Sequence, residues 1–367
     1  MKLALVVPGG VDRSGQVRVI PALLDLIRRL ARAHNVHVFA LNQEPRPGRW
    51  TLEGASIHNI GPGFTRARAL RALAAEHLRG RFALVHSIWS GAPGLVAVAA
   101  ARMLRVPSIV HVTGGELLAL PDIAYGGRLS WRGRLREGVV LRAATAVTAT
   151  SAPMLASLAA LGIAARRIAF GVDLERWPAC EPCAREPGAP ARLIHIGSLN
   201  RVKDQPVLLR ALAELSREGV AYEMDIVGED TLRGETQRLS EALGLQGRVR
   251  FHGFLTQPAL RPLIERAHLM VMSSRHEAGP FVLLEAALAG VPTVGSAVGH
   301  IAEWAPTAAV AVPVGNWTAL ARSVSAVLAD ESVRLHLARE AQRRALSGDA
   351  DYTARAVQAL YDELLAA

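Results

Sequence analysis

The sequence predicts an α/β protein of two doubly wound domains, each a mostly parallel sheet covered by helices. Three observations predict it. Short apolar runs alternate with stretches of helical periodicity along nearly the whole chain, the pattern of βαβ units. The strand-like runs lack strict polar alternation, as strands buried on both faces do. A strand, glycine turn and helix opening occurs twice, at residues 3–7 with Gly9-Gly10 and at residues 193–196 with Gly197. With 367 residues, two cores are the expected division.

The elements follow in order. Residues 3–7 form an apolar run ended by Pro8-Gly9-Gly10, and residues 20–30 continue with helical spacing. Strand-like runs recur at 36–41, 84–86 and 109–112, with helices near 66–78 and 93–104 between them. Residues 146–149, 153–161 and 168–170 complete a first domain, residues 1–175. From Asp173 to Ala191 the periodicity lapses into C-E-P-C-A-R-E-P-G-A-P, the composition of a linker. A second domain, residues 190–350, opens with the run 193–196 and a helix through 207–215. Its further strands are expected at 224–227, 249–251, 269–272 and 293–294. Helices from Trp317 close the chain, and the last, residues 351–367, is expected to pack back on the N-terminal domain. No repeat of 20 to 50 residues interrupts this plan.

Half of the residues are hydrophobic and both charge signs are present, which is globular chemistry. The charge is uneven: residues 1–182 hold 23 Lys and Arg against 11 Asp and Glu, and the remainder is slightly acidic. Such a half suits an anionic lipid surface, an acidic acceptor or nucleic acid, and a general bias toward arginine accounts for it equally well. The two cysteines, Cys180 and Cys183, fall short of a four-ligand zinc site and read as reduced thiols of a cytoplasmic protein. Residues 1–7 are too short for a secretory signal core, and no apolar stretch approaches the ~20 residues of a membrane span. The one Asp-x-Asp, Asp349-Ala350-Asp351, opens a late helix and reads as a cap, so no metal site is expected.

Chemistry concentrates in S-S-R-H-E-A-G-P-F-V-L-L-E-A, residues 273–286. Glu285 lies inside an almost wholly apolar helix, where an unpaired carboxylate would be costly, so it requires a polar partner. Gly279, Pro280 and Phe281 mark the start of that helix, whose free amides form an anion site. Glu277 borders it, eight residues before Glu285. Earlier, Gly197-Ser198-Leu199-Asn200-Arg201-Val202-Lys203 turns a strand into a helix, with Arg201 and Lys203 able to donate charge-assisted hydrogen bonds to phosphate.

With Gly290-Val291-Pro292 following the paired glutamates, the chain resembles the retaining GT-B glycosyltransferases of family four, the glycosyltransferase group 1 class. The likeness is strongest over residues 193–313. It implies two Rossmann-like domains facing across a cleft and a UDP- or GDP-linked nucleotide sugar as co-substrate, with no cofactor. It implies retaining hexosyl transfer to a glycan or lipid-linked acceptor, in cell-surface polysaccharide or glycolipid synthesis. By this resemblance Lys203 and Arg201 neutralise the leaving diphosphate, Glu277 holds sugar hydroxyls and Glu285 holds the ribose. The arginine that the family carries after the glycine is Ser198 here, and Arg201 is the candidate to replace it. Gly228 resembles the glycine turn near the nucleotide and Gly253-Phe254 the segment beside the base, although plain strand-end turns explain both glycines equally. His300 stands where the family's second glycine loop has glycine.

In the first domain the loop with Gly9, Gly10 and Gly15 is the expected place for acceptor or phosphate amide contacts. His86 fits a core-lining or a catalytic role. His111 lies two residues before the position where the family carries histidine, and it is a candidate contact to the transferred sugar or a satisfied strand histidine. The basic segments 66–81 and 128–142, the latter with Trp131, fit peripheral contact with an anionic membrane at its inner face, or solvated helix faces. Two other readings are a GT-B sugar-nucleotide epimerase and a non-catalytic sugar or nucleic-acid binder. No nucleic-acid-reading module is visible, so no nucleic-acid partner is expected. A dinucleotide oxidoreductase is disfavoured, because neither opening turn carries G-x-G-x-x-G with an acid ~20 residues on.

Overall fold

A computed structural model describes residues 1–366 and divides into two compact α/β units. Unit 1 runs from Met1 to Gly171 and regains the chain from Ala350; unit 2 is Val172–Asp349.

Unit 1 begins with β1 (Lys2–Val7), α1 (Pro21–Ala31) and β2 (Asn35–Ala40). A hairpin of β3 (Gly48–Leu52) and β4 (Ala55–Asn59) follows, then α2 (Thr65–Arg79), β5 (Leu84–Ile88) and α3 (Ala92–Leu104). The unit continues through β6 (Ser108–Val112), α4 (Trp131–Ala143), β7 (Ala146–Ala149), α5 (Ala152–Ala159) and the two-residue β8 (Arg166–Arg167). The sheet order is β3-β4-β2-β1-β5-β6-β7-β8, parallel except for β3 against β4. This hairpin is absent from the sequence reading because G-R-W-T-L has no apolar run and its residues are half-buried or exposed at the sheet edge. The last strand is shorter than residues 168–170 suggested and lies just before them.

Unit 2 alternates β9 (Ala191–Ile196), α6 (Gln205–Arg217), β10 (Tyr222–Val227), α7 (Glu235–Ala242) and β11 (Val249–Gly253). Then come α8 (Gln257–Glu265), β12 (Leu269–Met272), α9 (Phe281–Leu288), β13 (Thr293–Ser296), α10 (Gly299–Trp304) and β14 (Val310–Val312). Two helices, α11 (Trp317–Ala329) and α12 (Glu331–Ser347), end the unit. Its six strands are all parallel in the order β11-β10-β9-β12-β13-β14. Two apolar clusters fill its faces: α6 and α11 pack on one, α9 and α12 on the other.

Residues 173–190 are irregular, but they do not dangle as a linker. Trp177 is buried in the unit 2 core and its Nε1 donates to the Glu285 carbonyl at 3.1 Å. The Cys180 amide reaches the Leu288 carbonyl at 2.8 Å, and the Arg185 amide donates to Glu331 Oε1 at 2.7 Å. The division therefore falls at Gly171, before the Pro-rich stretch that the sequence marks.

The closing helix α13 (Ala350–Ala366) belongs to unit 1, where Val357, Leu360 and Tyr361 join the core beside α1. Of the expected helix 351–367, Ala367 lies outside the described residues. Of Asp349-Ala350-Asp351, Asp349 directly precedes α13 and Asp351 lies in its first turn, where its carboxylate pairs with the largely buried Arg29 on α1, which draws its pKa below the usual range.

Candidate active site

In unit 2 the strand order reverses beside β9, because β10 continues to one side of it and β12 to the other. The carboxyl ends of the strands at such a reversal are the usual ligand position in an open α/β sheet. The loop after β9 is residues 197–204 and the loop after β12 is residues 273–280. Both contain residues that the sequence singled out.

Local geometry delivers Lys203 to this edge of the sheet. Asn200 Oδ1 accepts from the amides of Val202 at 3.1 Å and Lys203 at 3.0 Å, an Asx turn that reverses the chain before α6. Ser273 Oγ donates to the Lys203 carbonyl at 2.8 Å, and the Arg275 amide donates to the Val202 carbonyl at 2.8 Å, so the two loops are tied together. Lys203 Nζ then lies 2.5 Å from Glu277 Oε1, and Ser274 Oγ donates to the same oxygen at 2.6 Å. The two charged side chains are 20% and 11% exposed. Beneath them, buried His195 donates from Nδ1 to the Val271 carbonyl at 2.9 Å; burial lowers its pKa to about 4, so the ring stays neutral beside the lysine.

The glycines explain the close backbone. A Cβ at Gly228 would lie 2.1 Å from the Gly197 carbonyl oxygen, so the ends of β10 and β9 approach as only glycine permits. Gly299, at φ +50°, would place a Cβ 2.8 Å from the Glu277 carbonyl, so the loop after β13 rests directly on the Glu277 backbone. The Ser198 carbonyl accepts from Gln205 Nε2 at 3.1 Å, leaving the backbone of that turn held from below.

α9 begins at Phe281, with Pro280 as its extended N-cap and Gly279 just outside, and no side chain caps its first amides. Glu285 is 2% exposed, and Gln257 Nε2 donates to its Oε1 at 2.6 Å. This amide, 28 residues away on α8, is the polar partner that the apolar helix demanded. Phe254, beyond the end of β11, is 55% exposed and presents a bare aromatic face on the same carboxyl edge.

Arg201 is a correction. Its guanidinium forks onto Glu235, Nη1 to Oε1 at 2.9 Å and Nη2 to Oε2 at 2.8 Å, with both side chains about half exposed. The carboxylate at the start of α7 claims it, so it does not stand with Lys203 and Glu277.

In unit 1, Gly9, Gly10 and Gly15 lie on the loop between β1 and α1, and the Val11 and Val19 bridge closes the part of it that holds Gly15. Gly10, at φ +84°, has Ile20 where a side chain would go, and the buried Asp12 carboxylate pairs with Arg18. His111 is the second correction. β6 is a central strand covered on both faces, so the ring is buried, with Nδ1 2.8 Å from Thr148 Oγ1 and Nε2 3.2 Å from Thr150 Oγ1. Burial lowers its pKa to about 3, and both nitrogens are used; it is a satisfied strand histidine. His86 is likewise buried, with Nδ1 2.7 Å from the Tyr361 hydroxyl.

The sequence reading missed other polar groups on this edge. Glu116 accepts from the amides of Gly114 at 2.6 Å and Ser90 at 3.2 Å, while burial pushes its carboxyl up. Ser90 Oγ donates to the fully buried Glu137 at 2.6 Å. Ser274, three residues before Glu277, and Asn200, three before Lys203, were legible in principle as local hydrogen-bonding residues; Gln257, Ser90 and Glu137 were not, since only the fold brings them in.

Two family models match the chain: glycosyl transferases group 1 over residues 184–344, and the glycosyl transferase 4-like domain over residues 19–170. A glycogen synthase of Mycobacterium tuberculosis is 32% identical over 185 residues, which are 50% of this chain and 44% of that protein, so the chain spans less than half of this relative. A D-inositol 3-phosphate glycosyltransferase of Salinispora arenicola is 29% identical over 98% of this chain and 89% of its own. Among solved structures, sucrose-phosphate synthase from Thermosynechococcus elongatus superposes with a TM-score of 0.83 over the full length of both chains at 20% identity. The Anabaena protein HepE in complex with UDP-glucose gives 0.75 over 99% of this chain and 100% of its own at 19% identity. None of the described helices is long and apolar enough to cross a membrane. With one model on each sheet and GT-B folds as its structural neighbours, the chain belongs to the group 1 glycosyltransferases of GT-B fold.

Proposed function

We propose that the chain transfers a sugar, with retention at the anomeric carbon, from a nucleotide-sugar donor to a glycan or lipid-linked acceptor in the synthesis of a cell-surface polysaccharide or glycolipid. The observation that carries this reading is the pairing of Lys203 with Glu277 at the strand-order reversal of unit 2. Breaking the bond between an anomeric carbon and a diphosphate builds negative charge on the leaving oxygen and oxocarbenium character on the sugar. Lys203 and the first-turn amides of α9 answer the former charge. Glu277, steadied by Ser274, accepts from sugar hydroxyls, and Glu285, held by Gln257, accepts from the ribose. Phe254 offers a face for the base. Positive charge at the diphosphate comes from the protein itself, so the reading requires no metal and no cofactor. UDP is the favoured carrier, since the Anabaena neighbour holds UDP and UDP-glucose.

The acceptor side of this reading is a peripheral station on the inner face of an anionic membrane. On α4, Trp131, Leu135 and Val139 lie at i, i+4 and i+8 and are 63%, 59% and 52% exposed, among Arg132, Arg134 and Arg136. An apolar stripe flanked by arginines supports interfacial docking. Flotation with vesicles containing phosphatidylglycerol should recover the protein, and Trp131→Ser with Leu135→Ser should leave it in solution.

Incubation with UDP-, GDP- and dTDP-sugars plus bacterial glycolipids should release a nucleoside diphosphate only when donor and acceptor are both present. If every donor stays intact while nucleoside diphosphate still binds, the transferase reading fails. Conversion of a free nucleotide sugar without acceptor would assign an epimerase instead.

A further inference from the structure

Unit 1 carries a second charged cleft, formed where the β3–β4 hairpin meets α2. It encloses about 430 Å³ and is lined by Gly48, Arg49, His58, Asn59, Arg68 and Arg71 among others, with no acidic residue among them. β4 runs parallel to β2, which runs parallel to β1, so His58 and Asn59 bring the cleft to the carboxyl edge of the sheet.

Each wall is fixed by local chemistry. Asn59 Oδ1 accepts from the Gln43 amide at 3.0 Å, and its Nδ2 donates to the carbonyls of Glu44 at 3.0 Å and Arg46 at 2.6 Å, which sets the turn that delivers Gly48 and Arg49. Arg68 and Arg71 stand three residues apart on α2, a spacing at which like charges repel unless something neutralises them. Arg68 donates to the Pro62 carbonyl at 3.0 Å, while Arg71 has no hydrogen-bond or ion-pair partner among the described residues. Arg49 lies 3.2 Å from Glu76, but that one carboxylate also faces Lys2 and Arg79. Positive charge is therefore in excess.

The floor of the cleft is the more specific feature. His58 is 4% exposed and stacks on Phe39 with ring centroids 4.6 Å apart. Its Nε2 is 3.0 Å from His37 Nδ1, and its Nδ1 is buried with no hydrogen-bond partner. Burial, then the charge of Arg49, lowers its pKa to about 4, so it is a neutral ring with one unmet nitrogen. A buried polar atom left without a partner in a native fold calls for a ligand or water group to meet it.

We propose that this cleft is a phosphate-binding site of unit 1, taking a phosphate monoester through the guanidinium groups of Arg49, Arg68 and Arg71 and the Nδ1 of His58. Guanidinium forks match phosphate oxygens in geometry and charge, and a neutral imidazole with Nδ1 protonated completes the set as a donor. The site is separate from Lys203 and goes beyond the donor reading. The phosphate belongs to a soluble ester or to a lipid headgroup; the chemistry of capture is shared.

The test uses the full chain carrying Lys203→Ala, so that the donor side contributes no phosphate site. Inorganic phosphate, titrated by calorimetry at constant ionic strength, should bind saturably, and it should move the ¹⁵N resonance of the His58 ring. Arg71→Gln, whose parent side chain has no partner to lose, should keep the melting temperature and weaken binding at least about tenfold, the loss of one charge-assisted contact. Arg210→Gln on α6 should change nothing. Glycerol 3-phosphate binding that needs Arg71 assigns a soluble ester; binding to vesicles of phosphatidic acid that needs Arg71, without glycerol 3-phosphate binding, assigns a headgroup. If chloride displaces phosphate equally well, or if Arg68→Gln with Arg71→Gln binds like the parent, the proposal is overturned. Neither result touches the donor assay, so the two readings fail separately.

Discussion

Replacement of Lys203 by alanine separates a catalytic cation from a structural one. The Nζ to Oε1 contact of 2.5 Å links two mostly buried side chains, and its loss leaves Glu277 with Ser274 as its remaining side-chain donor among the described residues. An ionised group deprived of one charged partner costs about 1–3 kcal/mol of stability. For a unit of this size that corresponds to a melting temperature about 3–10 °C lower. The effect on turnover should be larger, because removal of a preorganised charge from a developing anion costs about 10²–10³ in kcat. Nucleoside diphosphate release at saturating donor and acceptor measures kcat, and calorimetry measures stability on the same samples. Adding Glu277→Gln to Lys203→Ala should restore part of the lost stability, since a neutral amide needs no counter-charge, without restoring turnover. The reasoning is refuted if Lys203→Ala keeps kcat within about fivefold of the parent while the melting temperature falls, for the lysine would then only hold Glu277 in place.

Arg201→Ala removes an exposed pair with Glu235 worth about 0–1 kcal/mol, and should leave kcat within about threefold; a loss like that of Lys203→Ala would return Arg201 to the site. Gly228→Ala forces a Cβ to 2.1 Å from the Gly197 carbonyl and should cost more than about 2 kcal/mol, read as a lower urea midpoint. The buried histidines predict acid sensitivity. His86, His111 and His195 have native pKa values near 3, 3 and 4 against an unfolded value of 6.5, so below pH 6.5 the unfolded chain takes up protons that the native one refuses. Their contribution is present above pH 6.5 and is lost as pH falls toward 4, at about 1.4 kcal/mol per pH unit for each ring. Melting temperatures should drop steeply from pH 6.5 to 5, and His111→Asn should flatten the drop; a melting temperature independent of pH over that range contradicts the assignment.

Much of the fold was legible because a buried parallel strand needs an unbroken apolar run and a parallel crossover needs a helix. β1, β2, β5, β6, β9, β10 and β12 announce themselves this way. The β3–β4 hairpin did not, because the edge strand β3 is half-exposed and both of its strands mix polar residues into short runs, and β14 did not, because three apolar residues are too short a run to read as a strand. His111 was placed correctly on a strand, yet its role depended on how deeply that strand is covered, which no local pattern records. Arg201 was read from its neighbours in sequence, and a carboxylate 34 residues away claimed it.

The sequence by itself determined the two-sheet plan and the glycine turns at strand ends, and it singled out Lys203, Glu277 and Glu285 as candidates. These depend on backbone conformation and on the intolerance of an apolar helix for an unmatched charge, which act over a few residues. The tertiary structure alone decided that Lys203 meets Glu277, that Gln257 answers Glu285, that the Pro-rich stretch is strapped to unit 2, and that three arginines line one cleft of unit 1 with a histidine whose Nδ1 is unmet. Strand order brings side chains from distant loops to one edge, and hydrogen bonds and ion pairs of 2.5–3.2 Å form only between groups that this order has already placed together.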